Sequence, residues 1–186
     1  MIDELKTSEM FNDWFGNRWT AQIGSHAAGN IFSYPTDLRI EWTAARPWSY
    51  THRVPLYGTY TNNGRCLGFK HGPNSQLLLL ENRWWINTRN RFSISYEQLK
   101  WGREPEKDMA DNFDFGNDTN HNYSLANPEY NNNTGWLIGD IQTTQTVQFL
   151  WEYQLSNIIG LELEFAHMKE MDESVNTMSL QVNVDY

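Results

Sequence analysis

The chain holds a single cysteine, Cys66, so it has no internal disulfide framework and no multi-cysteine metal site. It has no long apolar run. The longest leucine block is Leu77 to Leu80, far short of the ~18 residues from which a membrane-spanning helix is read. Basic residues are in deficit, 14 Lys and Arg against 23 Asp and Glu, for a formal net charge of -9. With no basic excess to displace counterions, nucleic acid is not an expected partner. The opening Met1-Ile-Asp-Glu-Leu-Lys6 lacks the apolar stretch of a secretory signal. Helical periodicity is missing apart from a short possibility in the first dozen residues. The five histidines show no H-x-x-x-H spacing, and no G-x-S-x-G, P-loop or Rossmann fingerprint occurs. The expectation is a protein that is not an enzyme and needs neither cofactor nor metal.

What the chain has is aromatic residues, 15% of the total, with nine each of Trp, Tyr and Phe. Yet its mean hydropathy is low, -0.68. A membrane β-barrel reconciles the two. Lipid-facing and lumen-facing residues alternate along its strands, and aromatics gather at the interfaces. The last ten residues fit that pattern. Met178, Leu180, Val182, Val184 and Tyr186 alternate with Ser179, Gln181, Asn183 and Asp185, a period of two. The length matches the ~9–11 residues of a tilted transmembrane strand. Ile159, Leu161, Leu163 and Phe165 alternate likewise, as do Val147, Phe149, Trp151 and Tyr153, and Ser156-Asn157 between the two sets reads as a tight hairpin. Further strands are expected over Phe92–Glu97, Gln76–Ile86, Asp37–Ala45 and Asn17–Ser25. The fold class read from this is all-β, with about seven or eight antiparallel strands of a transmembrane β-barrel.

The connections expected between these strands are 25–36, 46–75, 87–90, 102–135, 156–157 and 168–176. After the first they run long, short, long, short, intermediate, as in a barrel with short periplasmic turns and longer outer loops. Bacterial single-chain barrels have an even number of strands. If Tyr186 ends on the periplasmic side, counting back through seven strands puts residues before Asn17 outside. A further strand in 1–16, or more strands upstream, is therefore expected, and the second is preferred: an incomplete barrel, with 1–186 its C-terminal part.

The two long connections differ in charge. Between Glu41 and Glu81 no acidic residue occurs, while Arg46, His52, Arg53, Arg65, Lys70 and His71 are interleaved with Trp48, Tyr50, Tyr57, Tyr60 and Phe69. Guanidinium forks take carboxylates at two points, and flat rings offer contact surfaces to sugars. Arg46, His52, Arg53 and Arg65 are the candidates for holding acidic groups, and Trp48, Tyr50, Tyr57 and Tyr60 for stacking, with an acidic polysaccharide as ligand. The alternative is that these residues line a lumen and pair with acidic neighbours. The connection 102–135 is the reverse, with Glu104, Glu106, Asp108, Asp111, Asp114, Asp118 and Glu129. Its carboxylates do not follow an EF-hand pattern, and it reads as a solvated surface loop. Glu162 and Glu164 share a strand face and read as lumen-lining charges, not as a glycosidase pair.

The stretch Leu38-Arg-Ile-Glu-Trp-Thr-Ala-Ala-Arg-Pro-Trp-Ser-Tyr-Thr-His52 resembles a recurring segment of the capsule assembly Wzi family. There, a strand with a Glu leads into Arg/Asn-Pro-aromatic and then Tyr-Ser/Thr-His. The continuation Tyr60 to Asn74 is similar to the family's next piece, ending in Gly-Pro/Ala-Asn, although Phe69 stands where the family more often has His. Asn90–Tyr96 and Tyr153–Leu155 fall where that family has comparable strands. The resemblance implies an eighteen-stranded outer-membrane barrel that acts as a lectin-like anchor or assembly factor for capsular polysaccharide, with relatives linked to gliding motility and adhesion. Outer-membrane lipid and an acidic surface polysaccharide are then the expected partners. A diffusion channel and a soluble β-sandwich carbohydrate-binding module are the alternative expectations.

Overall fold

A computed structural model of the chain describes residues 7–9, 12–51, 60–62, 65–103, 116–117, 119 and 134–184. Apart from a short 3-10 turn at Thr7–Glu9, the elements are strands: β1 (Thr20–Ile31), β2 (Tyr34–Ala45), β3 (Thr61–Asn62), β4 (Arg65–Cys66), β5 (Ser75–Asn87), β6 (Asn90–Arg103), β7 (Asp140–Gln154), β8 (Ile159–Glu170) and β9 (Glu173–Val184). Seven form one sheet in the order β1-β2-β5-β6-β7-β8-β9, and β3 and β4 pair separately as a small hairpin. The sheet is therefore a meander in which each long strand lies beside its neighbours in sequence. Its two ends, β1 and β9, do not pair with each other among the described residues.

The register follows from alternation. β7 and β8 are antiparallel with Phe149 opposite Phe165 and Trp151 opposite Leu163. β8 and β9 are antiparallel with Leu163 opposite Leu180 and Phe165 opposite Met178. Because successive side chains point to opposite faces, each pairing lays apolar on apolar and Glu162 beside Glu152 and Gln181. A slip of one residue would interleave the two sets, which is why the pattern specifies the pairing.

Two expected connections turn out to be mostly strand. The stretch 25–36 continues β1 to Ile31 and starts β2 at Tyr34, leaving only Phe32 and Ser33 to turn. Both take left-handed backbone angles, φ 50° and 69°, as a tight type I′ hairpin requires. Neither is the Gly or Asn that usually marks such a turn, and Ser25 to Asn30 carries little apolar alternation. The sequence signals for strand and turn are thus both weak here, and pairing to β2 supplies the missing specification. Likewise 168–176 contracts to a turn at Met171–Asp172, with Met171 left-handed at φ 49°. The connection lengths thus run short, long, short, long, short, short. The terminal Tyr186 lies outside the described residues.

The chain divides into two compact units. One gathers Met1–Gln22, Thr43–Leu77 and Lys100–Gln142, and the other Ile23–Trp42, Leu78–Leu99 and Thr143–Tyr186. The first has a core: Ala44, Ala45, Trp48, Tyr50, Phe69, Leu77 and Ile138 are buried. In the second, no described apolar side chain is buried to that degree, and Met178 (74%), Ile23 (70%) and Leu180 (67%) lie largely open.

Candidate functional site

In the first unit, the segment after β2 is folded back by main-chain bonds. Arg46 N donates to Trp19 O (3.1 Å), Trp48 N to Gly116 O (3.1 Å), and Thr51 N to Trp48 O (3.2 Å). Ser49 Oγ donates to the same Trp19 carbonyl at 3.2 Å. Trp48 and Tyr50 are held in the left-handed region, φ 57° and 69°, which bulky residues adopt only when their surroundings over-determine it. Those surroundings are visible. Thr51 Oγ1 also donates to Trp48 O at 2.6 Å, and Phe15 packs edge-on against the Trp48 ring. Gly116 has φ 75°, and a Cβ there would stand 2.6 Å from Trp48 N. Only glycine fits.

A second tie is Asn74, fully buried and left-handed at φ 54°. Its Nδ2 donates to Asn117 Oδ1 (2.7 Å) and Ile138 O (3.0 Å), and its Oδ1 accepts from Ile138 N (2.9 Å). Its backbone N donates to Arg46 O at 3.3 Å, and its carbonyl accepts from Gly102 N at 3.0 Å. Through main chain and side chain together, this one residue ties the end of the first long connection to its start at Arg46, and to Gly102, Asn117 and Ile138 along the second. Gly102 leaves it the room, since a Cβ there would lie 1.9 Å from Ile138 O and 2.3 Å from Asn74 Nδ2.

This geometry changes the roles expected of three residues. Arg46, Trp48 and Tyr50, candidates for ligand contact, are buried. Trp48 has no exposed ring surface to offer a sugar. The Tyr50 hydroxyl accepts from Phe69 N at 3.0 Å, against Gly68. Arg46 Nη2 donates to Thr134 O, while its Nε has no partner among the described residues. Burial pulls the Arg46 guanidinium below the usual arginine range, and the charge of Asp13 partly restores it. The three act as scaffold. Tyr60 and Arg65, by contrast, are exposed, Tyr60 just before the β3–β4 hairpin and Arg65 within it, opposite Asn62. The remaining candidates His52, Arg53 and Tyr57 lie outside the described residues, as do the carboxylates of the connection 102–135.

In the second unit the alternate residues separate by chemistry. On one face, Phe92 packs near Phe149 (5.9 Å between centroids) and Trp151 (6.3 Å), and Trp151 stacks with Tyr153 (6.0 Å). Leu161, Leu163 and Phe165 and then Val182, Leu180 and Met178 extend this face across β8 and β9. On the other face, Arg91 makes a two-point pair with Glu152, and Gln148 donates to Glu164 at 2.9 Å. The polar alternates of the first strands also cluster, with Arg39 on Glu41 (2.6 Å), Arg83 on Glu81 (2.6 Å) and His26 near Asp37 (3.6 Å).

Sequence reasoning foresaw the two-faced strands but missed Asn74, Gly102 and the Arg91–Glu152 pair. A hint for Asn74 existed, since Asn after Gly-Pro is a residue suited to a left-handed turn position. No family model, no curated protein and no solved structure matches the chain.

Proposed function

We propose that the chain supplies strands to the wall of a bacterial outer-membrane β-barrel, and that the protein is a non-enzymatic binder or assembler of acidic surface polysaccharide. The observation that carries the membrane part is the uncovered apolar face. In water, so much contiguous apolar surface would be a liability; against acyl chains it is the required surface. A β-sandwich would need a second layer over that face, and none lies there among the described residues. The polysaccharide part rests on the exposed Tyr60 and Arg65, in a stretch free of acidic residues from 42 to 80. It also rests on the Wzi-like segments 38–52 and 60–74.

Two measurements test this. After fractionation of the envelope of the cell that encodes it, the protein belongs with outer-membrane markers; recovery as a soluble species rejects the membrane part. Binding to acidic glycans should weaken about tenfold when Arg65 and Tyr60 are both replaced by Ala, and unchanged binding rejects those contacts. The charged polar face also favours a second reading, a diffusion channel, which conductance of the protein in planar bilayers would reveal.

A further inference from the structure

On the polar face of the second unit, at the ends of β5 to β9, lies a concavity of about 620 Å³. It lies in a different unit from Tyr60 and Arg65 and shares no residue with that region. Its chemistry is mixed and incompletely used. Arg91 and Glu152 neutralise each other as a two-point pair. Trp85, Arg89, Glu162 and Asn183 also line it, and their side chains make no hydrogen bond among the described residues, although Glu162 shares the charge of Arg91 with Glu152. Gly160 forms a notch between Gln154 and Asn183. A Cβ there would meet only Gln154 Oε1 at 3.6 Å and Asn183 Cβ at 4.0 Å.

We propose that this concavity binds a short neutral oligosaccharide, one ring stacked on Trp85 and hydroxyls held by Arg89, Glu162 and Asn183. Sugar hydroxyls both donate and accept, so a carboxylate, a guanidinium and an amide side by side suit them better than any one alone. The indole face takes the apolar side of a pyranose. The charge balance sets the ligand class. Two guanidinium groups face two carboxylates, so no net field favours an acid, unlike the acid-free stretch around Arg65. Length sets the size. Trp85 on β5 and Asn183 on β9 are four strand spacings apart, roughly 19 Å at ~4.8 Å each, too far for one ring.

The test uses saturation-transfer NMR on the purified full chain in detergent, with maltotriose, cellotriose and chitotriose as neutral probes and trigalacturonate as the acidic one. At least one neutral trisaccharide should bind. Its affinity should fall about tenfold in Trp85→Ala and about fivefold in Arg89→Ala and Glu162→Ala, and recover in part in Trp85→Phe. Arg65→Ala should leave it unchanged, whereas that variant weakens acidic-glycan binding under the proposed function, so the two ideas fail separately. Binding of no neutral probe, preference for trigalacturonate at this site, or indifference to all three alanine variants overturns the proposal. Arg89 lies in an exposed turn, and Glu162 stands opposite the like-charged Glu152 and near Arg91, so its loss removes a repulsion along with an attraction; both variants should keep the unfolding midpoint of the parent chain, and lost binding at that midpoint is lost contact.

Discussion

The two units of this chain solve the same problem in opposite ways. Around Asn74 and Trp48, polypeptide with little regular structure is held by a dense set of buried hydrogen bonds and a small apolar core. In the strands β6 to β9 the backbone ladder does the holding, and the apolar side chains are turned outward. The first arrangement turns its apolar side chains inward. The second leaves its largest apolar surface unsatisfied unless something greasy covers it. A buried polar hub and an exposed apolar face are thus the two features that distinguish the units, and each can be attacked separately.

The largest effect is expected at the hub. Asn74→Ala removes the donors to Asn117 and Ile138 and the acceptor for Ile138 N, leaving buried groups unpaired. With about 1–3 kcal/mol for each orphan, the first unit should lose about 3 kcal/mol or more. Amide hydrogen exchange should report this as faster exchange at Gly102 and Ile138, with the ladder of β8 and β9 unchanged. Equal loosening of both units would show that they are not separable. Gly102→Ala should act in the same direction, because its Cβ has no room beside the Ile138 carbonyl.

Next comes the apolar face. Leu180→Arg puts a charge among Leu163, Phe165 and Val182, and in a lipid bilayer this costs ~2–4 kcal/mol near the midplane. The folded fraction in vesicles should drop, while Ser179→Arg, one residue along on the polar face, should change it much less. If the two variants behave alike, the faces are not distinguished by their surroundings.

A smaller change follows from Arg91→Ala, which leaves Glu152 and Glu162 opposed without their shared cation. The groups are partly solvated, so ~1 kcal/mol is expected, read as a lower unfolding midpoint. The smallest concerns Cys66, whose thiol is pushed up by burial. A raised folded value favours the protonated form. Its contribution is therefore complete at neutral pH and is lost as pH rises through the thiol range. Alkylation of Cys66 near pH 8 should be slower than that of a free thiol, and Cys66→Ser should flatten the stability loss at alkaline pH.

How much of this could be read beforehand differs between the units for a physical reason. Strands such as Ile159–Phe165 announce themselves because a period of two is local and needs no partner to be seen. β1 beyond Ser25 does not, since Ala27, Ala28 and Gly29 carry no alternation and β2 supplies the template. In the first unit, Arg46, Trp48 and Tyr50 looked like ligand contacts because basic and aromatic residues cluster there. Composition cannot tell a ring that faces solvent from one locked under Gly116. Asn74 was invisible as a hub because its partners, at 102, 117 and 138, are distant in sequence and meet only in three dimensions.

The hairpin of β8 and β9 has one more consequence. Its apolar rows stop at Phe165 and Met178; the next pair, His167 and Asn176, is joined by a side-chain hydrogen bond of 2.8 Å. The strands nevertheless run on to Glu170 and Glu173 before the Met171–Asp172 turn. In the proposed setting this tip stands clear of the lipid as a stiff, fully paired ribbon. A protease must thread a slack segment into its cleft, and a ribbon closed by two residues has none to give. Enzymatic shaving of intact cells should therefore spare this hairpin.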